Sequence, residues 1–259
     1  MTQDERLIEL EAYVKAQGKV TLDFICQRYQ ISSDSARRDL VKLTQRPGMI
    51  RIRGGAIYSD RPPVLTYSER ESFDPIKEQL AKHAATLIHD NDILFLDAGT
   101  TTTTLAKHLD RPLHVITNSI EVLSELREKN QIRKCLLGGE FDDFTHAILG
   151  LTTIAQIKNY DADKAIIGVS ALSDSGITAN TEADALLKKA MADQSKLVIC
   201  ITSHQKFNTQ LMYHALGWAE IDYLITDKMP PEDICKQIKH YQVELIVKQN
   251  TTLEVNTAI

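Results

Sequence analysis

The chain has no apolar run long enough to cross a bilayer, so no membrane-spanning helix is expected. Its opening stretch, MTQDERLIEL, lacks the basic-then-apolar order of a secretory signal, which points to a cytoplasmic protein with no membrane partner. Cys26, Cys135, Cys200 and Cys235 are scattered and form no C-x-x-C pair, so neither a zinc site nor a disulfide framework is indicated and no metal is expected. Neither Gly-Lys-Ser/Thr of a P-loop nor G-x-G-x-x-G occurs in the glycine-bearing loop described below, so no nucleotide is indicated and no cofactor is expected. Positive charge is short as well: 30 Lys and Arg stand against 35 Asp and Glu, a net charge of −5. Such a balance argues on average against a nucleic-acid partner, because binding one relies on neutralising its phosphates.

The local balance differs. Between Arg28 and Tyr58 the cations are Arg28, Arg37, Arg38, Lys42, Arg46, Arg51 and Arg53, and the anions only Asp34 and Asp39, a local balance of +5. A compact basic segment at one end of an acidic chain fits a separate nucleic-acid module. The 259 residues, 43% of them hydrophobic, suffice for that small domain and one larger one.

The basic segment centres on Ile31 to Leu43, ISSDSARRDLVKL. At 3.6 residues per turn, Ala36, Leu40 and Leu43 share one helix face, while Asp34, Ser35, Arg38 and Lys42 lie on or near the other. Ser32 suits the N-cap and Ile31 can staple onto the helix. Upstream, residues 3 to 16 read as an amphipathic helix ending near Gly18, and Leu22 to Tyr29 as a short helix capped by Thr21. Two short helices joined by a tight turn, the second basic, match a helix-turn-helix whose second helix enters the major groove. Pro47-Gly48 marks a turn, Met49 to Arg53 alternates as a strand, and Gly54-Gly55 reverses the chain into Ala56 to Tyr58, which together make a hairpin wing. Double-stranded operator DNA is therefore the expected partner, with Ser32, Ser33, Asp34, Ser35, Arg37, Arg38, Lys42, Arg51 and Arg53 as the contacting residues.

Residues 1–58 are assigned to this domain, 59–75, with three prolines, to a linker that partly packs, and 76–259 to the larger domain. Pro75 suits the first turn of a helix from Ile76 to about Ile88. Strands are expected over Ile93 to Leu96, Leu113 to Thr117, Lys134 to Leu137, Lys164 to Gly168, Leu197 to Ile201, Tyr223 to Thr226 and Glu244 to Val247. Strands interleaved with helices predict an α/β fold with a mainly parallel sheet covered on both faces. In ILFLDAGTTTTTLAKHL a strand ends at Asp97, Gly99 allows a tight turn, and five threonines lead into a helix. Free N–H groups at that helix start, with hydroxyls from Thr100, Thr101 and Thr102, suit a phosphate. Thr117-Asn118-Ser119, Gly138-Gly139-Glu140, Gly168-Val169-Ser170 and Lys206 close later strands and point at the same crevice.

Ser32-x-x-Ser35-Ala36-Arg37-Arg38-Asp39-Leu40 followed by Arg53-Gly54-Gly55-Ala56 resembles the winged helix-turn-helix of the DeoR family of bacterial transcriptional regulators. That family usually has Thr-Ile or Thr-Val at Ser35-Ala36, Gly at Pro47 and His at Arg53. Asp97-Ala98-Gly99-Thr100-Thr101, Thr117-Asn118, Gly138-Gly139, Lys164 to Gly168 and Lys206-Phe207 resemble the family's effector domain, whose fold is similar to ribose-5-phosphate isomerase and glucosamine-6-phosphate deaminase. Asp is usual where Ser203 stands and Gly where Asn208 stands. The resemblance implies a regulator, usually a repressor of a carbohydrate operon, that senses a small phosphorylated sugar through Asp97, Gly99, Thr100, Thr101, Thr102, Asn118, Gly139 and Lys206. It also implies a homodimer or homotetramer. The competing reading is a sugar-phosphate isomerase or deaminase with a basic appendage, which needs a carboxylate base aimed at the substrate; Asp97 is the one attractive candidate.

Overall fold

The computed structural model describes residues 2–44, 46, 48–58, 65–72 and 74–248. Pro47, the proline-bearing stretch 59–64 and the tail 249–259 lie outside the described residues. The chain forms two compact units, Met1–Val64 and Leu65–Ile259.

The first unit opens with α1 (Gln3–Gln17), held at its start by a Thr2/Glu5 capping box and stopped by Gly18 in the left-handed conformation. A short strand β1 (Lys19–Thr21) leads into α2 (Leu22–Tyr29), which Thr21 caps, and then α3 (Ser33–Leu43), capped by Ser32. Strands β2 (Met49–Ile52) and β3 (Gly55–Tyr58) form the expected hairpin, and β1 adds to it, so that β3 lies in the middle of a three-stranded antiparallel sheet. The third strand was not anticipated. It explains the second glycine of the Gly54-Gly55 pair: a Cβ at Gly55 would stand 2.1 Å from the Val20 carbonyl oxygen, so only glycine lets β3 lie against β1. Leu7, Leu10, Val14, Ile25, Ala36, Leu40 and Leu43 close the core between helices and wing.

The second unit begins earlier than the expected linker boundary. A Thr66/Glu69 capping box starts the single turn α4 (Tyr67–Arg70), and Tyr67 is 1% exposed. Residues 65–72, read from sequence as linker, therefore belong to the larger unit, since burying one aromatic ring there outweighs the polar character of its neighbours. Next comes α5 (Pro75–Thr86), capped by Asp74 with Pro75 in the first turn.

Seven strands then build one parallel sheet: β4 (Ile93–Leu96), β5 (Leu113–Thr117), β6 (Ile132–Leu136), β9 (Ala162–Gly168), β12 (Ser195–Ile201), β14 (Tyr223–Thr226) and β15 (Glu244–Val247). Between them run α6 (Thr100–His108), α7 (Ile120–Leu126), α8 (Leu151–Ile157), α9 (Glu182–Asp193) and α10 (Glu232–His240). Alternation along the strands sets the layers. Leu94 and Leu96 pack with Leu80, Leu105 and Val122 of α5, α6 and α7, whereas Phe95 between them packs with Ile157, Leu187 and Ile234 of α8, α9 and α10. Two antiparallel additions escaped the sequence reading: a hairpin of β7 (Glu140–Asp142) and β8 (Ala147–Leu149), and a small sheet of β10 (Ala171–Ser173), β11 (Gly176–Ala179) and β13 (Tyr213–Leu216).

The order β15-β14-β12-β9-β4-β5-β6 reverses direction between β4 and β9. At such a switch point the connections leave toward opposite faces and open a crevice beyond the strand ends. Here it opens beside Asp97 to Gly99 on one side and Gly168 to Ser170 on the other.

Candidate functional sites

On the first unit, α3 is braced from behind. Asp39 is fully buried and accepts from Arg6 Nε at 2.9 Å and Gln3 Nε2 at 2.7 Å, which ties the middle of α3 to the start of α1. Outward, Ser33, Asp34, Arg37, Arg38 and Lys42 are exposed. Arg37 lies 3.7 Å from Asp34, Arg38 donates to Ser35 Oγ at 3.2 Å, and Lys42 donates to Gln3 Oε1 at 2.6 Å. Arg51 and Arg53 of the wing segment are exposed too. Two of the seven cations counted from sequence face elsewhere: Arg46 pairs with Glu11 and the Leu7 carbonyl, and Arg28 lies 3.9 Å from Glu9 over the rings of Tyr13 and Phe24. The sequence reading missed Val41, 54% exposed on the same helix, an apolar surface suited to a thymine methyl.

In the second unit the crevice encloses about 220 Å³. Gly99, Thr100 and Thr101 line it from the start of α6, and Lys206 from the turn after β12, as expected. The first turn of α6 has no side-chain cap among the described residues, so no side chain there takes up its N–H groups. Gly99 is extended (φ 163°) rather than left-handed, and a Cβ there would stand 3.4 Å from Thr102 Oγ1. The threonines divide the work. Thr102 donates to the Gly99 carbonyl at 2.9 Å, Thr104 to the Thr100 carbonyl at 2.8 Å, and Thr103 accepts from the Tyr67 hydroxyl at 3.1 Å.

Four expected contact residues stand behind the wall instead. Asp97 is fully buried and accepts from Lys188 Nζ at 2.5 Å and the Gly168 N–H at 3.1 Å. Thr102 is spent on its own turn. Asn118, also fully buried, accepts from the Ala98 N–H at 3.0 Å and donates to the Ile148 carbonyl at 3.4 Å, fixing the loop before α6. Gly139 packs where a Cβ would come within 2.1 Å of Thr153 Oγ1 and 2.6 Å of the Leu149 carbonyl oxygen; close approach of backbone, not ligand contact, accounts for it. Polar groups at strand ends serve equally to shape a loop and to meet a guest, and burial separates the two.

Conversely, Arg70, Lys77, Asp184 and Lys188 line the crevice and were not foreseen. The Asp184-x-x-x-Lys188 spacing on an otherwise apolar helix face was a readable signal for the last two. Lys188 lies between Asp97 and Asp184 (2.5 and 3.0 Å), and the two carboxylates hold its ammonium above the ordinary lysine range despite full burial. Burial pushes the Asp97 carboxyl up, and Lys188 offsets this only in part. Arg70, Lys77 and Lys206 have no carboxylate within ion-pair distance among the described residues. Burial lowers all three, and Lys206 is lowered further by Arg70 and Lys77. Arg70, Lys77 and Lys206 thus gather desolvated positive charge around an uncapped helix start, eased at longer range by Asp184 and Asp97 for Arg70 and by Asp74 for Lys77.

A helix-turn-helix with a cationic outer face, in one chain with a crevice-bearing parallel α/β body, defines the class of DNA-binding transcriptional regulators that carry a sensor domain. Residues 6–61 match the DeoR-like helix-turn-helix domain and residues 74–228 the DeoR C terminal sensor domain. The HTH-type transcriptional repressor GlcR of Bacillus subtilis (strain 168) is 38% identical over 252 residues, 96% of this chain and 98% of that protein. The glycerol-3-phosphate regulon repressor of Escherichia coli (strain K12) is 27% identical over 249 residues, 95% of this chain and 99% of that protein. Among solved structures, ribose 5-phosphate isomerase A from Methanocaldococcus jannaschii is 16% identical with a TM-score of 0.37, over 51% of this chain and 53% of that one. The chain belongs to the DeoR family of transcriptional regulators.

Proposed function

We propose that the protein represses a carbohydrate-utilisation operon from the cytoplasm, binding operator DNA as a homodimer or homotetramer and releasing it when a phosphorylated sugar enters the sensor crevice. One observation carries the effector reading: the uncapped first turn of α6 and three cations without carboxylate partners, Arg70, Lys77 and Lys206, share a cavity of about 220 Å³. That combination suits a phosphate with a small polyol attached. The names of the relatives, a repressor and a phosphate-ester regulon repressor, support the same direction. No helix among the described residues is long and apolar enough to cross a membrane. On the operator side, Ser32, Ser33, Asp34, Ser35, Arg37, Arg38, Lys42, Arg51 and Arg53 form the docking face, its centre fixed by the Asp39–Arg6 brace.

The isomerase reading needs a free carboxylate base. Asp97 is held behind the wall by Lys188 and Gly168; of the carboxylates that line the crevice, Asp184 is paired with Lys188, Glu69 accepts from Thr66 and Asp74 from the Ile76 N–H. Binding without turnover is the better account of such an arrangement.

The test uses Thr101→Val and Lys206→Ala. Both variants bind operator DNA like the parent in a gel shift, and both lose release by a panel of sugar phosphates that raise the parent's thermal midpoint. Release that persists unchanged in both variants removes Thr101 and Lys206 from the effector site.

A further inference from the structure

The crevice has a wall that belongs to the stretch leading in from the helix-turn-helix. Arg70 sits on α4, the first helical turn described after β3, and Lys77 on the first turn of α5. The turn is four residues long, far too short to persist by its own hydrogen bonds. What fastens it is Tyr67: its N–H donates to the Phe144 carbonyl at 2.9 Å, its hydroxyl donates to Thr103 Oγ1 at 3.1 Å, and its ring stacks on His146 with centroids 4.7 Å apart. Thr103 belongs to α6, the helix whose first turn faces the crevice. Arg70 donates through Nε to the Thr66 carbonyl at 3.2 Å, its guanidinium lies 5.9 Å from the Tyr67 ring centre, and Lys77 Nζ donates to the Arg70 carbonyl. Arg70 lines the cavity and forms no ion pair among the described residues.

We propose that α4 is a ligand-operated latch, in which a phosphomonoester dianion seated on the first turn of α6 is grasped from the other side by Arg70 and Lys77 and thereby fastens residues 65–72 to the sensor body. This rests on the sensor-crevice reading above and adds the charge of the ligand and the element it acts on. The dianion follows from which charges are engaged: Asp184 is taken by Lys188, Glu69 by the Thr66 cap and Asp74 by the Ile76 N–H, whereas Arg70, Lys77 and Lys206 have no carboxylate within ion-pair distance among the described residues, and a phosphomonoester carries nearly two negative charges at neutral pH. A neutral sugar leaves the repulsion among the three in place. A doubly charged group removes it, and because one of the three is on α4, the gain is paid out as order in that turn. Ligand and latch are coupled because the anion has more partners when α4 is down than when it is loose.

Hydrogen exchange read by mass spectrometry on the full chain tests this, with glucose 6-phosphate, inorganic phosphate and glucose as probes. Glucose 6-phosphate is expected to slow exchange across residues 65–72 several-fold. The same slowing by inorganic phosphate assigns recognition to the anion alone, and slowing by the ester only assigns it to anion and sugar together; either outcome supports the latch. In Arg70→Gln the phosphate probes bind about ten- to a hundredfold more weakly, the loss of one charge-assisted contact, and at saturation no longer slow exchange at 65–72, while Arg70→Lys recovers part of both. Saturable binding with unchanged exchange at 65–72 in the parent overturns the latch and leaves the crevice reading standing. So does Arg70→Gln that binds and slows exchange like the parent. Slowing by glucose equal to that by the phosphates overturns the dianion. Absence of any phosphate-dependent thermal shift in the parent and in Arg70→Gln overturns the crevice reading, and the latch with it.

Discussion

The two units handle positive charge in opposite ways. On the first, Arg37, Arg38, Lys42, Arg51 and Arg53 stand in solvent on an outer surface, where water screens them and their side chains can move. In the second, Arg70, Lys77, Lys188 and Lys206 are drawn into a crevice and incur a desolvation cost, more than offset for Lys188 by Asp97 and Asp184 at contact, and only partly offset at longer range for Arg70 by Asp184 and Asp97 and for Lys77 by Asp74. Exposed cations act at a distance and tolerate variation in what they meet. Buried ones act at contact and discriminate by charge and shape. A long, uniform polyanion calls for the first arrangement, and a small anion in a crowded cell calls for the second.

The largest test of this contrast is Lys188→Met. Removing the ammonium leaves Asp97 and Asp184 facing each other in a dry wall, and breaking such a buried pair costs about 3–5 kcal/mol. Urea unfolding followed at the single tryptophan, Trp218, 3% exposed in the second unit, reads the loss directly. A change below about 1 kcal/mol would mean that the triad is solvated and that the distinction between the units fails. By contrast, Arg38→Ala should change stability by no more than about 0.5 kcal/mol while weakening operator binding by about 1–3 kcal/mol. If Arg38 meets a phosphate, the slope of log affinity against log salt also falls by about one. The effector's affinity, resting on desolvated groups, should vary far less over the same salt range. Equal salt sensitivity at both sites would break the comparison.

Next in size is Asp39→Asn. The residue is buried but its partners Arg6 and Gln3 lie at the edge, so the expected cost is about 1–2 kcal/mol, seen as a lower thermal midpoint of the first unit and weaker operator binding. Weaker binding with unchanged stability would show that Asp39 orients α3 rather than anchoring it.

What could be read from the chain beforehand divides along the same line. Short apolar runs located Ile93–Leu96, Leu113–Thr117, Tyr223–Thr226 and Glu244–Val247 to the residue; the first three are buried at most positions, so few polar side chains interrupt them, and the last lies at the edge of the sheet. The short antiparallel strands β7, β8, β10, β11 and β13 went unseen: three or four residues give no period, and their pairing is decided by distant segments. The exposed face of α3 was legible because exposure itself follows from helical period. The crevice was half legible. Gly99, Thr100 and Thr101 announce a helix start, but Arg70 lies in a stretch that reads as linker until Tyr67 is known to be buried, and Asp97 looks like a contact until Lys188, distant in sequence, is found against it.

The smallest effect expected is a pH dependence of phosphate binding confined to the buried site. Lys206 faces Arg70 and Lys77, and burial together with those two cations holds its ammonium below the ordinary lysine value of 10.5 in the unliganded crevice. A bound phosphate dianion favours the charged form, so the complex holds that proton to higher pH than the free protein does. Affinity is therefore full at neutral pH and declines, with net proton uptake on binding, as pH rises through a range that begins below 10.5. On the acid side affinity declines below about pH 6, where the phosphate loses its second charge. Titration calorimetry between these limits separates the two limbs, since Lys206→Met flattens the alkaline limb and leaves the acid one. Arg70 carries no titration in this range, so Arg70→Gln lowers affinity at every pH without bending the profile. An alkaline limb that survives Lys206→Met unaltered would assign it to Lys77, also lowered by burial, and would move the centre of the anion site toward the first turns of α5.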